Sequence, residues 1–183
     1  MLVALFSSTA VAQPAAAPPT QAQACVACHG PEGNSGTPGV PSIAGQPRLY
    51  LENTLVLTRE GLRGNPVMQG LMKGRTDPEI VAIARHYAAQ AVRPAAGSPD
   101  KDLQRRGRDL AARLGCASCH DKTFRGKEQM PRLAGQREEF LNARMIALRD
   151  KPPPGTDTIM AATLRGLSNA ELKALAHFFA QLR

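Results

Sequence analysis

Tryptophan is absent from the chain, and phenylalanine and tyrosine together supply only 4% of its 183 residues. Large aromatic side chains carry much of the buried area of a small core, and here alanine dominates the hydrophobic fraction instead. Ordinary side chains therefore leave a core short of bulk, which a large cofactor would supply. No stretch shows the sustained alternation of a β-strand, so helices and loops remain. The N-terminal apolar run, Leu2 to Ala12, has no basic residue before it, and it falls short of the roughly 20 apolar residues that span a bilayer. Cysteine occurs at four positions and nowhere else.

What is present starts with length. The chain slightly exceeds one typical domain and could divide into two of roughly 80 to 90 residues, each of a size often helped by a disulfide, a metal or a large cofactor. Residues 1–12 end in Ala10-Val11-Ala12 before Gln13, as does the later part of a secretory signal peptide with an A-x-A cleavage site. The missing basic region fits a start codon placed too late; a retained membrane anchor is the competing reading. Residues 13–21, with Pro14, Pro18 and Pro19 among Ala and Gln, read as a flexible leader.

The cysteines occur as Cys25-Val26-Ala27-Cys28-His29 and Cys116-Ala117-Ser118-Cys119-His120. Two thiols one helical turn apart can each form a thioether to a haem vinyl group, while the adjacent imidazole reaches the iron, so C-x-x-C-H works as one unit. A thioredoxin-type redox pair, or zinc held by both pairs, leaves the two histidines idle. The expected cofactors are two covalently attached haems c, with Cys25, Cys28, Cys116 and Cys119 as attachment points and His29 and His120 as iron ligands. Export agrees with this, because such haem is attached outside the cytoplasm, where bare cysteine pairs tend to oxidise.

The whole unit is duplicated. Pro41-Ser42-Ile43-Ala44-Gly45-Gln46 recurs as Pro131-Arg132-Leu133-Ala134-Gly135-Gln136 at an offset of 90 residues. Glu79, Ile80, Ile83, Ala84, Tyr87 and Ala88 match Glu171, Leu172, Leu175, Ala176, Phe179 and Ala180 at an offset of 92. Both sets follow an amphipathic helical stripe, and Thr76 with Glu79, like Ser168 with Glu171, fits a capping box. Helices are expected at each C-x-x-C-H, after each A-G-Q and at each unit's end, with Asp102 to Leu114 lengthening the second haem helix. Residues 92–99 have linker composition, dividing a first domain at 22–91 from a second at 100–183.

A sixth iron ligand is sought among Met68, Met72, Met130, Met145 and Met160. Aligning the capping boxes puts Met68 and Met160 eight residues before Thr76 and Ser168. Met72 aligns with Leu164, as a packing residue would, yet its proximity to Met68 keeps it a candidate. Met145 lies on an apolar face, and Met130 is too close to His120 to pass round the ring. Thioether sulfur favours reduced iron and leaves no open site. Pro41 and Pro131 follow the histidines by twelve and eleven residues; each carbonyl is either an acceptor for the histidine Nδ1–H or part of an ordinary turn before a helix. Arg59 and Arg149 correspond, as propionate partners or as solvated surface residues. His86 and His177 do not repeat and read as ordinary helix residues.

The two C-x-x-C-H motifs, the repeated P-x-[IL]-A-G-Q, and Met68 and Met160 ahead of their terminal helices resemble the dihaem cytochrome c4 family, over nearly everything from Ala22 to Arg183. The resemblance implies an all-α fold of two tandem class I cytochrome c domains, each wrapped around one covalently bound haem. It also implies His/Met ligation at both irons, Pro41 and Pro131 as histidine acceptors, a periplasmic location, and delivery of electrons towards a membrane terminal oxidase. The sequence departs from the family at Val67 and Ile159, where a second Met often stands. The second ligand loop, carrying Lys151 to Gly155, is also two residues longer than the first, which argues against equal potentials.

An electron carrier without substrate chemistry of its own is the expected function, and a haem subunit of a flavocytochrome-type dehydrogenase is the alternative. A dihaem peroxidase is weaker, since it needs an accessible iron. The net charge is +8, with 7 basic and 5 acidic residues before Ser98 against 16 and 10 from Ser98 onward. Propionates on two haems lower the total to roughly +6 oxidised and +4 reduced. Such a carrier suits redox partners with acidic docking surfaces and docks through its second half. Export and the lack of an aromatic-basic motif exclude nucleic acid as the partner, and no stable membrane anchor is expected after processing. Association with an acidic redox partner should therefore slow steeply as ionic strength rises; stopped-flow rates that stay flat with salt would contradict electrostatic docking.

Overall fold

The computed structural model describes residues 19–63, 65–93, 99–154 and 156–183. The apolar segment at 1–12, most of the leader at 13–21, and residues 94–98 of the expected linker lie outside the described residues. Among the described residues the chain is helical without a named strand, and no helix is long and apolar enough to cross a membrane.

The first half contains a 3-10 turn at Thr20–Ala22, then α1 (Gln23–His29), α2 (Arg48–Arg59), α3 (Pro66–Met72) and α4 (Asp77–Ala88). The second contains α5 (Lys101–Arg113), α6 (Ala117–His120), α7 (Glu138–Asp150), α8 (Thr158–Leu164) and α9 (Asn169–Ala180). Local chemistry explains the starts of α4, α5 and α9. Capping boxes open α4 at Thr76/Glu79 and α9 at Ser168/Glu171, satisfying donors that have no partner inside the helix. Asp100 accepts from the N–H groups of Asp102 and Leu103 at the start of α5.

The second motif helix differs from the expectation. The helix at Lys101–Arg113 does not run into Cys116; Gly115, at φ +66°, breaks it, and His120 sits on the separate short helix α6. A left-handed glycine ends a helix at little steric cost. Two further helices, α3 and α8, occupy stretches with too few residues for a periodic apolar stripe. Their starts are set by Asn65, whose side chain accepts from Met68 N–H at 2.9 Å, and by Asp157, which accepts from Ile159 N–H at 2.7 Å.

Each half buries its own apolar cluster. In the first, α4 turns Ile80, Ile83, Ala84 and Tyr87 towards Leu51 and Leu55 of α2 and Met72 of α3. In the second, α9 lies between α5 and α7, so it is buried almost all round, from Leu172 to Ala180, as a helix packed on two sides must be. Arg59 joins Asp77 at the start of α4, and Arg149 joins Asn169 Oδ1 and the Leu167 carbonyl at the start of α9. Those two arginines thus tie helix ends within each half. His177 does the same between helices: its Nδ1 faces Glu138 on α7 at 2.9 Å and its Nε2 accepts from Asp100 N–H at 3.0 Å.

The halves meet at their repeated turns. Gln46 Nε2 donates to the Arg132 carbonyl at 3.0 Å while its Oε1 accepts from Arg132 N–H at 2.9 Å. Gln136 makes the matching pair with Ser42, both bonds at 2.8 Å. The Arg132 guanidinium, 3% exposed, donates to the carbonyls of Ala44 in one half and Ala134 in the other. Tyr50 N–H adds a bond to the Glu128 carbonyl at 3.0 Å.

Helices α5 and α9 approach closely at Gly107 of α5. A Cβ added there would lie 2.6 Å from Phe178 Cβ and closer still to the Ala174 carbonyl oxygen on α9. Because backbone cannot give way as a side-chain tip can, Gly107→Ala should destabilise the protein by about 1–3 kcal/mol. A urea titration of the haem-loaded protein checks this as a lower midpoint with unchanged slope.

Candidate functional site

Helix α1 puts Cys25 and Cys28 one turn apart and ends at His29, where Gly30 turns the chain at φ +79°. A Cβ on Gly30 would meet the Asn34 carbonyl oxygen at 2.7 Å, so this position needs glycine. At the second site Asp121 takes the same turn at φ +73° without that freedom, an arrangement that costs of order 1–3 kcal/mol. Its carboxylate offsets some of the cost by accepting from Thr123 N–H at 2.6 Å and Thr123 Oγ1 at 2.7 Å.

Cys25 and Cys116 are half-buried against their apolar clusters, and Cys28 and Cys119 are exposed. No disulfide joins them. Burial pushes the Cys25 and Cys116 thiols upward in pKa. Among the described residues no three His, Cys, Asp or Glu side chains converge as a zinc site requires.

Both motif histidines are buried, His29 at 7% exposure and His120 at 4%. The Pro41 carbonyl lies 2.8 Å from His29 Nδ1, and the Pro131 carbonyl 2.9 Å from His120 Nδ1. A carbonyl can only accept, so Nδ1 carries the proton and Nε2 keeps a lone pair. Burial pulls the pKa of both imidazoles down, more than the proline carbonyls raise it. Each is thus neutral at neutral pH, the form that ligates a metal. The Nε2 of His120 is buried without a hydrogen-bond partner among the described residues. An orphaned buried nitrogen is costly unless something binds it, and an iron at that atom fits.

The turns that present Pro41 and Pro131 are built alike from different residues. Ile43 N–H and Ala44 N–H donate to the Gly33 carbonyl, and Leu133 N–H and Ala134 N–H donate to the Phe124 carbonyl. Gly33, at φ +77°, leaves room for the Tyr87 ring, which a Cβ would approach to 2.7 Å. Phe124, at φ +57°, instead packs its own ring edge-on against Phe179 at 5.0 Å and Phe178 at 5.8 Å. Phe124 was not legible as a site residue, because glycine is the residue that usually marks such a turn.

Met68 and Met160 are each the third residue of a matching short helix, α3 and α8, and each is partly buried against its cluster. Met72 is 2% exposed and Leu164 is 2% exposed, so both are core. Met145 is also core at 7%, and Met130 pairs backbone with Lys127. Just before the two partly buried methionines, Val67 and Ile159 are 68% and 66% exposed. Gln46 and Gln136, whose only sequence signal was recurrence, connect to both sites through Ser42 and Arg132.

The comparisons with known proteins agree with this arrangement. A family model described as cytochrome c matches residues 104–183. The chain is 30% identical to cytochrome c4 of Thiocapsa roseopersicina, over 84% of each chain. It is 32% identical to a thiosulfate dehydrogenase electron acceptor of Thiomonas intermedia, over 91% of this chain and 81% of that one. Among solved structures, reduced recombinant cytochrome c4 from Pseudomonas stutzeri superposes with a TM-score of 0.80 at 26% identity, covering 89% of this chain and 95% of that one. Duplicated C-x-x-C-H helices, the all-α fold and relatives matched along most of their length lead to one assignment: the chain belongs to the cytochrome c4 family, electron-transfer proteins with two cytochrome c domains and a covalently attached haem c in each.

Proposed function

We propose that the chain is a periplasmic one-electron carrier, without substrate chemistry of its own, in which His29 with Met68 and His120 with Met160 close the two irons. One observation carries the reading: in both sites a buried imidazole commits Nδ1 to a proline carbonyl, at 2.8 and 2.9 Å, and keeps Nε2 as a lone-pair donor. When attached, haem c supplies a one-electron ferric/ferrous couple. The thiols of Cys25, Cys28, Cys116 and Cys119 hold the macrocycle, and the carbonyls of Pro41 and Pro131 orient and strengthen the histidines. Met68 and Met160 favour the reduced iron and keep small ligands away. The domains are taken as 22–91 and 100–183 with a linker at 92–99, and residues 1–12 as part of an export signal.

Val67 and Ile159 offer an apolar contact beside each methionine, and the net charge of +8 selects a partner with an acidic surface. A membrane terminal oxidase is the acceptor that this reading favours. A second reading, a haem subunit held by a dehydrogenase, is favoured by the relative named as a thiosulfate dehydrogenase electron acceptor. Purification separates the two: the haem-loaded chain alone supports the carrier, whereas stable association with a catalytic subunit supports the second.

Spectroelectrochemistry tests the ligands. Met68→Ala and Met160→Ala should each lower one of two midpoint potentials by on the order of 0.1 V or more, within the roughly 0.8 V that axial ligands span, and should let cyanide bind one haem. An unchanged titration in either variant would remove that methionine from the ligand set.

A further inference from the structure

The hydrogen bonds at the domain interface and those at the haem histidines share peptide units. Pro41 C=O and Ser42 N–H belong to one amide plane. His29 Nδ1–H bonds to its oxygen at 2.8 Å, and Gln136 Oε1 of the other domain accepts from its N–H at 2.8 Å. Likewise Pro131 C=O and Arg132 N–H belong to one plane, with His120 Nδ1–H at its oxygen, 2.9 Å away, and Gln46 Oε1 on its N–H at 2.9 Å. The second arm of each glutamine, Nε2, holds the carbonyl of that same Ser42 or Arg132, at 2.8 and 3.0 Å. Each side-chain amide thereby fixes both backbone groups of the residue that follows the histidine's acceptor. Ser42, Gln46, Arg132 and Gln136 are all buried, at 2–4% exposure, so no water competes for these bonds.

We propose that Gln46 and Gln136 are positioning residues, each setting, through one peptide unit across the interface, the hydrogen bond that orients and strengthens the haem-ligating histidine of the other domain. The inference rests on His29 and His120 being the iron ligands.

The physical effect has a sign. An acceptor on the N–H of an amide polarises it and makes its carbonyl oxygen a better acceptor, since hydrogen bonds in a chain reinforce one another. A better acceptor on Nδ1–H raises the basicity of the imidazole as a ligand, and a more basic ligand stabilises ferric iron. Each glutamine therefore holds the opposite haem's potential down. The influence is crossed: Gln136 acts on the first domain's haem and Gln46 on the second's. A glutamine that only glued the domains together would not produce that crossing, because loosening the interface exposes both sites.

The test uses the full haem-loaded chain with Gln136→Leu, Gln46→Leu, Gln136→Glu and Gln46→Glu. Midpoint potentials are read by spectroelectrochemistry and assigned to domains with Met68→Ala and Met160→Ala, and the exchange of each ferric haem histidine's Nδ1 proton is followed by NMR. Gln136→Leu should shift the first haem's potential upward and speed exchange at His29, leaving the second haem near its wild-type value; Gln46→Leu should do the reverse. Glu keeps an oxygen for the N–H of Ser42 or Arg132 in either protonation state, so both Glu variants should leave the opposite haem at or below its wild-type potential. Equal shifts at both haems, a shift confined to the variant's own domain, no shift, or Glu raising the potential as Leu does would overturn the proposal. A wild-type protein lacking hyperfine-shifted Nδ1 protons would overturn the ligand assignment together with it; crossed shifts absent while those protons are present overturn only the relay.

Discussion

Everything in this molecule depends on burying an imidazole that is bonded on one side only. His29 and His120 lie at 7% and 4% exposure with Nδ1 on a proline carbonyl. At His120 the Nε2 is itself buried without a partner among the described residues, which is unfavourable unless a metal binds it. The same requirement explains the composition. Each half has one modest cluster of apolar side chains, and a domain of this size has little stability to spare on such a core alone. The covalently attached haem therefore adds to the core, and the turns, caps and helices place the cysteine pair and the buried imidazole of each half.

Duplication has not kept the two sites alike. Gly30 and Asp121 make the same left-handed turn with different strain, and Gly33 with Tyr87 does in one domain what Phe124 with Phe179 does in the other. Thr58 of α2 stands where Leu148 of α7 stands, both buried; the threonine bonds the Thr54 carbonyl at 2.7 Å, and the leucine adds apolar contact. The second domain also packs a full helix, α5, on its last helix, where the first has only the turn at Thr20–Ala22 among the described residues. These differences leave the two sites unlike in their packing.

Features that use fixed, local chemistry were legible in the sequence. A C-x-x-C-H turn needs its residues at set spacing, and a capping box depends on two side chains three apart, so Thr76/Glu79 and Ser168/Glu171 could be read directly. The helices α3 and α8 were not, because seven residues are too few for a periodic stripe, and their marks are local ones, the caps Asn65 and Asp157 and Pro66 at the first turn of α3. The break at Gly115 was missed since apolar periodicity before it continues into the motif. Gln46 and Gln136 appeared only as repeated letters. Their roles come from a contact 86 to 94 residues distant in the chain, and no local pattern encodes a partner so far away.

The interface carries one further asymmetry. Where the first domain has Ser42, the second has Arg132, 3% exposed and without an acidic partner among the described residues. Burial pushes its pKa down to about 10, yet the group stays charged at neutral pH. The cost of that burial is therefore present at every pH below about 10 and is relieved only as pH rises towards the value of a free guanidinium. What offsets it is a pair of carbonyl dipoles, from Ala44 and Ala134, one in each domain. Separating the domains would remove one of them. A buried cation also favours the addition of an electron nearby, which opposes the downward pull proposed for the glutamines. The interface thus sets two opposing influences beside the haem histidines, one through hydrogen bonds and one through charge, and both require the domains to be closed.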